Sequence, residues 1–138
     1  MMTYEEKVRW LRRYQDSLRR EQELIEEVEQ LRSRACKVTH SLSDVPGGTG
    51  DEHALPRAVE QIMEAQQELQ VQIEQCNATR REVVGTICNV ENNRDQEILR
   101  RRYLLGQKWA AMSEDMEIDE RWIRRCHSAA INNLYIFF

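Results

Sequence analysis

Arg121, Arg125, Ser128 and Asn132 recur at steps of four, three and four, with Arg124 one place off that line. At about 100° per residue a helix gathers the first four on one face and leaves Arg124 on its shoulder. That set can read the edges of stacked bases. A guanidinium fork bonds two acceptors on a guanine edge, and hydroxyl and amide side chains add contacts to bases or phosphates. An arginine-rich face is also what a merely solvated helix surface looks like. The elements that carry the face decide between the two.

Opposite the arginines, Ile123, Cys126, Ala130, Ile131 and Leu134 form an apolar stripe, and Asp119 supplies an N-cap oxygen for orphan amides at the helix start. Just upstream, Trp109, Met112, Ser113 and Met116 fall at i, i+3, i+4 and i+7, a short helix packing inward, with a turn at Glu117 and Ile118. Two helices across a tight turn, the second with a basic outer face, are the ingredients of a helix-turn-helix, whose second helix enters the major groove. Residues Asp95 to Leu134 therefore read as three helices directed at double-stranded DNA, with Arg121, Arg124, Arg125, Ser128, Asn132 and Lys108 as the DNA-binding set. Arg100, Arg101, Arg102 and Lys108 either touch phosphates or bridge to Glu97 and the acidic run from Glu114 to Glu120. Both readings stay open.

The remainder must position this unit. In one long helix Tyr4, Leu11, Tyr14, Leu18, Ile25, Val28 and Ala35 alternate steps of three and four, interrupted by Lys7, Glu21 and Arg32. In a second, opened by Pro56, the stripe is Val59, Ile62, Leu69, Ile73, Cys76, Val83, Ile87 and Val90, with Gln66 and Arg80 in register. Glu21, Arg32, Gln66 and Arg80 are thus expected as buried polar residues that set register. Between the helices, Lys37 to Leu55 holds Pro46, Gly47, Gly48 and Gly50 without periodicity and reads as a loop. The closing Tyr135, Ile136, Phe137 and Phe138 are expected to cover the hairpin or a partner subunit, with a surface for RNA polymerase as the alternative, and Trp122 shares that ambiguity.

Composition narrows the function classes. The chain has 138 residues, 32% of them charged, and a mean hydropathy of -0.73, as two-faced helices give and a membrane span does not. The polar, charged N-terminus predicts a cytoplasmic protein. The net charge of -4 is uneven: up to residue 93 there are 12 basic and 17 acidic residues (-5), and from Arg94 onward 8 and 7 (+1). With a pI near 5.5, tight nonspecific DNA binding is not expected. Cys36, Cys76, Cys88 and Cys126 form no CxxC pair, which argues against zinc and a disulfide framework, and Cys76 and Cys126 occupy apolar stripe positions. His40, His53 and His127 are dispersed, no nucleophile has a partner, and the Gly47 to Gly50 stretch lacks a phosphate-loop ending. No enzyme, cofactor or metal is expected.

The run Ile98 to Leu134, with Arg102, Tyr103 and Leu104 before Gly106, then Trp109, and later Glu120, Arg121, Ile123 and His127, resembles region four of bacterial sigma factors. More closely it resembles small phage and prophage regulators of the ArpU and RinA type. Upstream, Arg34 to Thr39, continuing through Ser41, Leu42, Ser43, Pro46, Gly47 and Gly48, is similar to the linker between two long helices in those proteins. The matches together span nearly the whole chain. The resemblance implies a DNA-binding regulator of phage late or packaging genes that acts with host RNA polymerase in the bacterial cytoplasm. It implies a recognition helix from Asp119 to Leu134, with Arg121, Arg124 and Arg125 facing DNA. Three positions depart from the pattern. Lys108 stands where a threonine cap is usual, Gln107 replaces an apolar residue, and Glu117 holds a turn position suited to glycine, which predicts a strained or reshaped turn.

The expected fold is all-α, an N-terminal antiparallel two-helix coiled-coil hairpin followed by a C-terminal trihelical helix-turn-helix. Its domains are 1-93 (helices about 3-37 and 56-92, loop 38-55) and 94-138. Homodimerisation would let two copies read two half-sites. Two other functions use the same ingredients: a phage packaging component like a small terminase subunit, expected to form rings, and a coiled-coil interaction protein with no salt-dependent DNA binding.

Overall fold

The structure, a computed structural model, describes residues 1–44 and 53–137, with the side chains of 41–44 excepted. Among these residues it is all-helical: α1 (Tyr4–Asp44), α2 (Ala54–Cys88), α3 (Asn93–Tyr103), α4 (Trp109–Met116) and α5 (Glu120–Asn133). No helix among them is long and apolar enough to cross a membrane. The chain divides into two compact units, Met1–Leu18 with Cys76–Phe138, and Arg19–Gln75. Residues 1–18 and 76–93, grouped by sequence with the hairpin, thus cluster with the three short helices.

α1 begins at a reciprocal cap: the Glu6 amide donates to Thr3 Oγ1 (3.2 Å) and the Thr3 amide to Glu6 Oε2 (2.7 Å). It continues helically to Asp44 rather than ending near residue 37, so Arg34 to Ser43 of the expected linker is helix. Pro46, Gly47 and Gly48 lie outside the described residues. α2 starts at Ala54, which puts Pro56 in its first turn, where a missing N–H leaves no intrahelical bond unmade. It stops at Cys88, short of the expected 92, because the Asn89 and Val90 amides take tighter bonds to the Thr86 and Ile87 carbonyls (3.2 and 3.0 Å).

The heptad stripes need correction. In α1 the inner positions include Leu24 (2% exposed) and Val28, with Leu31 half-buried, while Arg32 is exposed. In α2, half-buried Ala58, buried Ala65 and half-buried Thr79 stand inside, and Val59, Gln66 and Arg80 are exposed. A straight helix of 3.6 residues per turn drifts by about 20° per heptad against a strict 3.5 repeat. The drift turns Arg32, Gln66 and Arg80 out and brings the residue before each of them in. Of the four expected buried polar residues, only Glu21 is even half-buried. In the 19–75 unit, Arg20 bridges Glu23 and Glu68 at 3.2 and 3.3 Å, both exposed pairs of small energetic weight.

The other unit holds two apolar clusters. In the larger, Leu11 of α1 and Val83 and Ile87 of α2 join Leu99, Tyr103, Ala130, Ile131, Leu134 and Ile136. In the smaller, Ile98, Met112, Ile123 and Cys126 close the contacts among α3, α4 and α5. Leu11, Ile98, Leu99, Met112, Ile123 and Ile131 are fully buried, each contributing about 1.5–3 kcal/mol. All five residues of the expected apolar stripe of α5 are in these clusters. Leu134 itself is extended, and the side chains after it alternate: Ile136 is buried, while Tyr135 and Phe137 are exposed and stack edge to face at 4.6 Å. Of the tail expected to cover the hairpin or a partner subunit, Ile136 packs into the cluster with Leu11, Val83 and Ile87, and Tyr135 and Phe137 are exposed in the single chain. Phe138 lies outside the described residues. Cys76 and Cys126 are buried and Cys36 and Cys88 exposed, all as free thiols.

Candidate nucleic-acid interface

α3 is capped by Asn92, whose side chain accepts from the Asp95 amide (3.1 Å). Its C-terminal carbonyls are met from α1: Gln15 Nε2 donates to the Tyr103 and Leu104 oxygens at 3.3 and 3.1 Å. Gly106 follows at φ +68°, packed so closely that a Cβ would stand 2.8 Å from Gln15 Oε1. α4 begins at Lys108, which makes no side-chain cap bond, as a lysine in place of a threonine dictates.

Glu117 ends α4 in the left-handed region (φ 56°, ψ 40°), the strained turn expected of a non-glycine residue there. The conformation lets the Glu117 and Ile118 amides both reach the Ser113 carbonyl, and Ser113 Oγ donates to the Ile118 oxygen at 2.6 Å. Asp119 then caps α5, accepting from the Arg121 amide at 2.8 Å. The turn therefore fixes the direction of α5 with four hydrogen bonds in seven residues, Ser113 to Asp119, and the Arg121 amide.

On α5, Arg121, Arg124, Arg125 and Asn132 are exposed and Ser128 is half-buried, across the helix from Ile123, Cys126, Ala130 and Ile131. Arg124 is ion-paired with Glu120 at 2.8 Å, so its donors are partly engaged. The Asn132 carbonyl accepts from Lys7 Nζ at 3.1 Å, which places an α1 lysine beside the last turn of α5. Trp122 is 47% exposed, with the Arg94 guanidinium 5.6 Å from its ring centre.

The arginines near α3 separate. Arg101 bridges Glu97 (3.0 Å) and Asp115 (3.3 Å), the local ion pairing that was one of its two readings. Arg102 instead stacks on Trp109 at 4.3 Å and donates to the Gln107 carbonyl at 3.0 Å. Arg124 stands 5.5 Å from the same indole.

His127 belongs to the inside of this unit. It is 5% exposed, its Nε2 lies 2.7 Å from the Tyr103 hydroxyl and its Nδ1 3.4 Å from that of Tyr4, and Trp109 meets its ring edge to face at 4.9 Å. Four helices thus meet at one imidazole. Burial, then the Arg102 and Arg12 charges, lower its pKa to about 4, and burial raises that of Tyr103 to about 12. Both are neutral near pH 7.

Sequence reasoning missed the part that α1 plays here. Lys7 interrupts an apolar stripe, and a cation at a core position was the available signal. Its ammonium caps the Asn132 carbonyl of α5. Arg12 carried no such sign. No protein-family model matches the chain, and neither a curated protein nor a solved structure matches it.

Proposed function

We propose that this chain is a sequence-specific DNA-binding protein, a phage transcriptional regulator whose α4–turn–α5 unit is a sigma-region-four-like helix-turn-helix. In this reading α5 enters the major groove with Arg121 and Arg125 as base readers, Ser128 and Asn132 as polar contacts, and Arg124 and Lys108 toward phosphates. The observation that carries it is the two-sided character of α5: an exposed arginine face, a fully apolar or neutral opposite face, and a hydrogen-bonded turn that sets its direction. Host RNA polymerase and a second copy of the chain are the protein partners of this reading, and the bacterial cytoplasm its location. It assigns binding rather than catalysis.

The test is a titration of phage promoter duplexes at two salt concentrations, wild type against Arg121→Ala/Arg125→Ala. Selective binding that the double variant loses supports the reading. Unselective or absent binding by the wild type refutes it in favour of an interaction protein, and selective binding by ring-sized oligomers would favour a packaging role.

A further inference from the structure

We propose that Arg12, Arg102 and Arg124 form an oxyanion site beside Trp109. In the DNA complex the site holds a backbone phosphate, a step that rests on the DNA-binding reading above. Two of the guanidiniums stand against one indole, Arg102 at 4.3 Å and Arg124 at 5.5 Å from its centre. Arg12 lies one turn before Gln15, which donates to the Tyr103 and Leu104 carbonyls, so α1 brings it to the end of α3 that carries Arg102, where its charge, with that of Arg124, adds to burial in disfavouring protonated Arg102.

Two arginines of the same unit are neutralised by carboxylates, Arg13 by Glu82 and Arg101 by Glu97 and Asp115. Beside Trp109, Arg124 is bonded by the Glu120 carboxylate. Among the described residues neither Arg12 nor Arg102 pairs with a carboxylate. Gathering like charges against a half-buried ring is unfavourable unless an anion offsets it, and the ligand that fits is one with several acceptor oxygens. Arg102 is already held by the Gln107 carbonyl, a bond that occupies one of its five N–H donors and leaves the others for a ligand. Because α1, α3 and α5 each supply one arginine, the site is assembled by the fold itself.

A phosphate could come from the duplex or from solution, and two measurements on the full chain separate the sources. The first is the salt dependence of binding to labelled phage promoter duplexes, for wild type, Arg12→Gln and Arg12→Gln/Arg102→Gln. Arg12 is exposed and makes no hydrogen bond or ion pair among the described residues, so its replacement leaves the fold intact. Loss of one neutralised phosphate makes the log–log slope shallower by roughly 0.9. The second compares melting in inorganic phosphate and in chloride at matched ionic strength, where wild type gains stability in phosphate and the double variant does not. A shallower slope in the variants supports the site with DNA as the source. Phosphate protection lost in the double variant, with no duplex binding by wild type, keeps the site with a free oxyanion and removes the DNA reading. An unchanged slope together with equal phosphate effects overturns the site while the DNA reading stands, and neither binding nor protection overturns both.

Discussion

Acidification should loosen the short-helix unit through His127. In the folded chain its imidazole titrates at about 4, against an ordinary value of 6.5, first because it is buried and then because Arg102 and Arg12 repel a second positive charge. A base with a depressed folded pKa adds stability that is complete above the unfolded value and is lost as pH falls from 6.5 toward 4, since only the unfolded chain takes up the proton in that window. At about 1.4 kcal/mol per unit the full effect is about 3 kcal/mol, of which roughly 2 kcal/mol is lost between about pH 7.5 and pH 5. Urea unfolding followed at both values, in wild type and His127→Gln, measures it. Glutamine offers the Tyr103 hydroxyl an amide in place of Nε2 and does not titrate. Exposed His40 and His53 and the carboxylates contribute to both proteins and cancel in the difference. Wild type should lose roughly 2 kcal/mol more than the variant. Equal losses would refute the burial of a neutral imidazole as described.

Glu117→Gly should raise stability by about 0.5–1 kcal/mol, because about 1–2 kcal/mol of left-handed strain is relieved against the entropy of a freer glycine, and Glu117→Ala should show no such gain in the same urea titration. Gly106→Ala should cost about 1–2 kcal/mol, and a Gln15→Ala background should remove the 2.8 Å clash while leaving the cost of φ +68°. Asp119→Ala removes the cap on the Arg121 amide and should cost about 1 kcal/mol, visible as a lower melting temperature.

The element that sequence periodicity rendered best is α5, where cap, length and buried face all follow from Asp119 and the spacing of Ile123, Cys126, Ala130, Ile131 and Leu134. A short helix with one apolar stripe leaves little room for error. In the long helices the register drifts from the heptads, because a strict heptad template cannot see that Ala65 and Thr79 pack more easily than Gln66 and Arg80. His127 was legible as a residue on α5 but not as a junction, since its partners Tyr4, Tyr103 and Trp109 come from three other helices. The same limit hid Lys7 and Arg12, whose neighbours in space are more than 85 residues away in sequence. Of the expected interface, the exposure of Arg121, Arg125 and Asn132 follows from helical phase, whereas the pairing of Arg124 with Glu120 depends on side-chain reach across one turn.

Base reading by the exposed face of α5 is tested by selection of duplexes from a randomised pool, followed by affinities for every single-base change in the selected site, for wild type, Arg121→Ala and Arg125→Ala. The expected result is an enriched site in which each arginine variant relaxes preference at one guanine, where wild type discriminates by about 1–3 kcal/mol, and leaves other positions unchanged. A pool that yields no enriched sequence, or arginine variants with the wild-type profile, would contradict it.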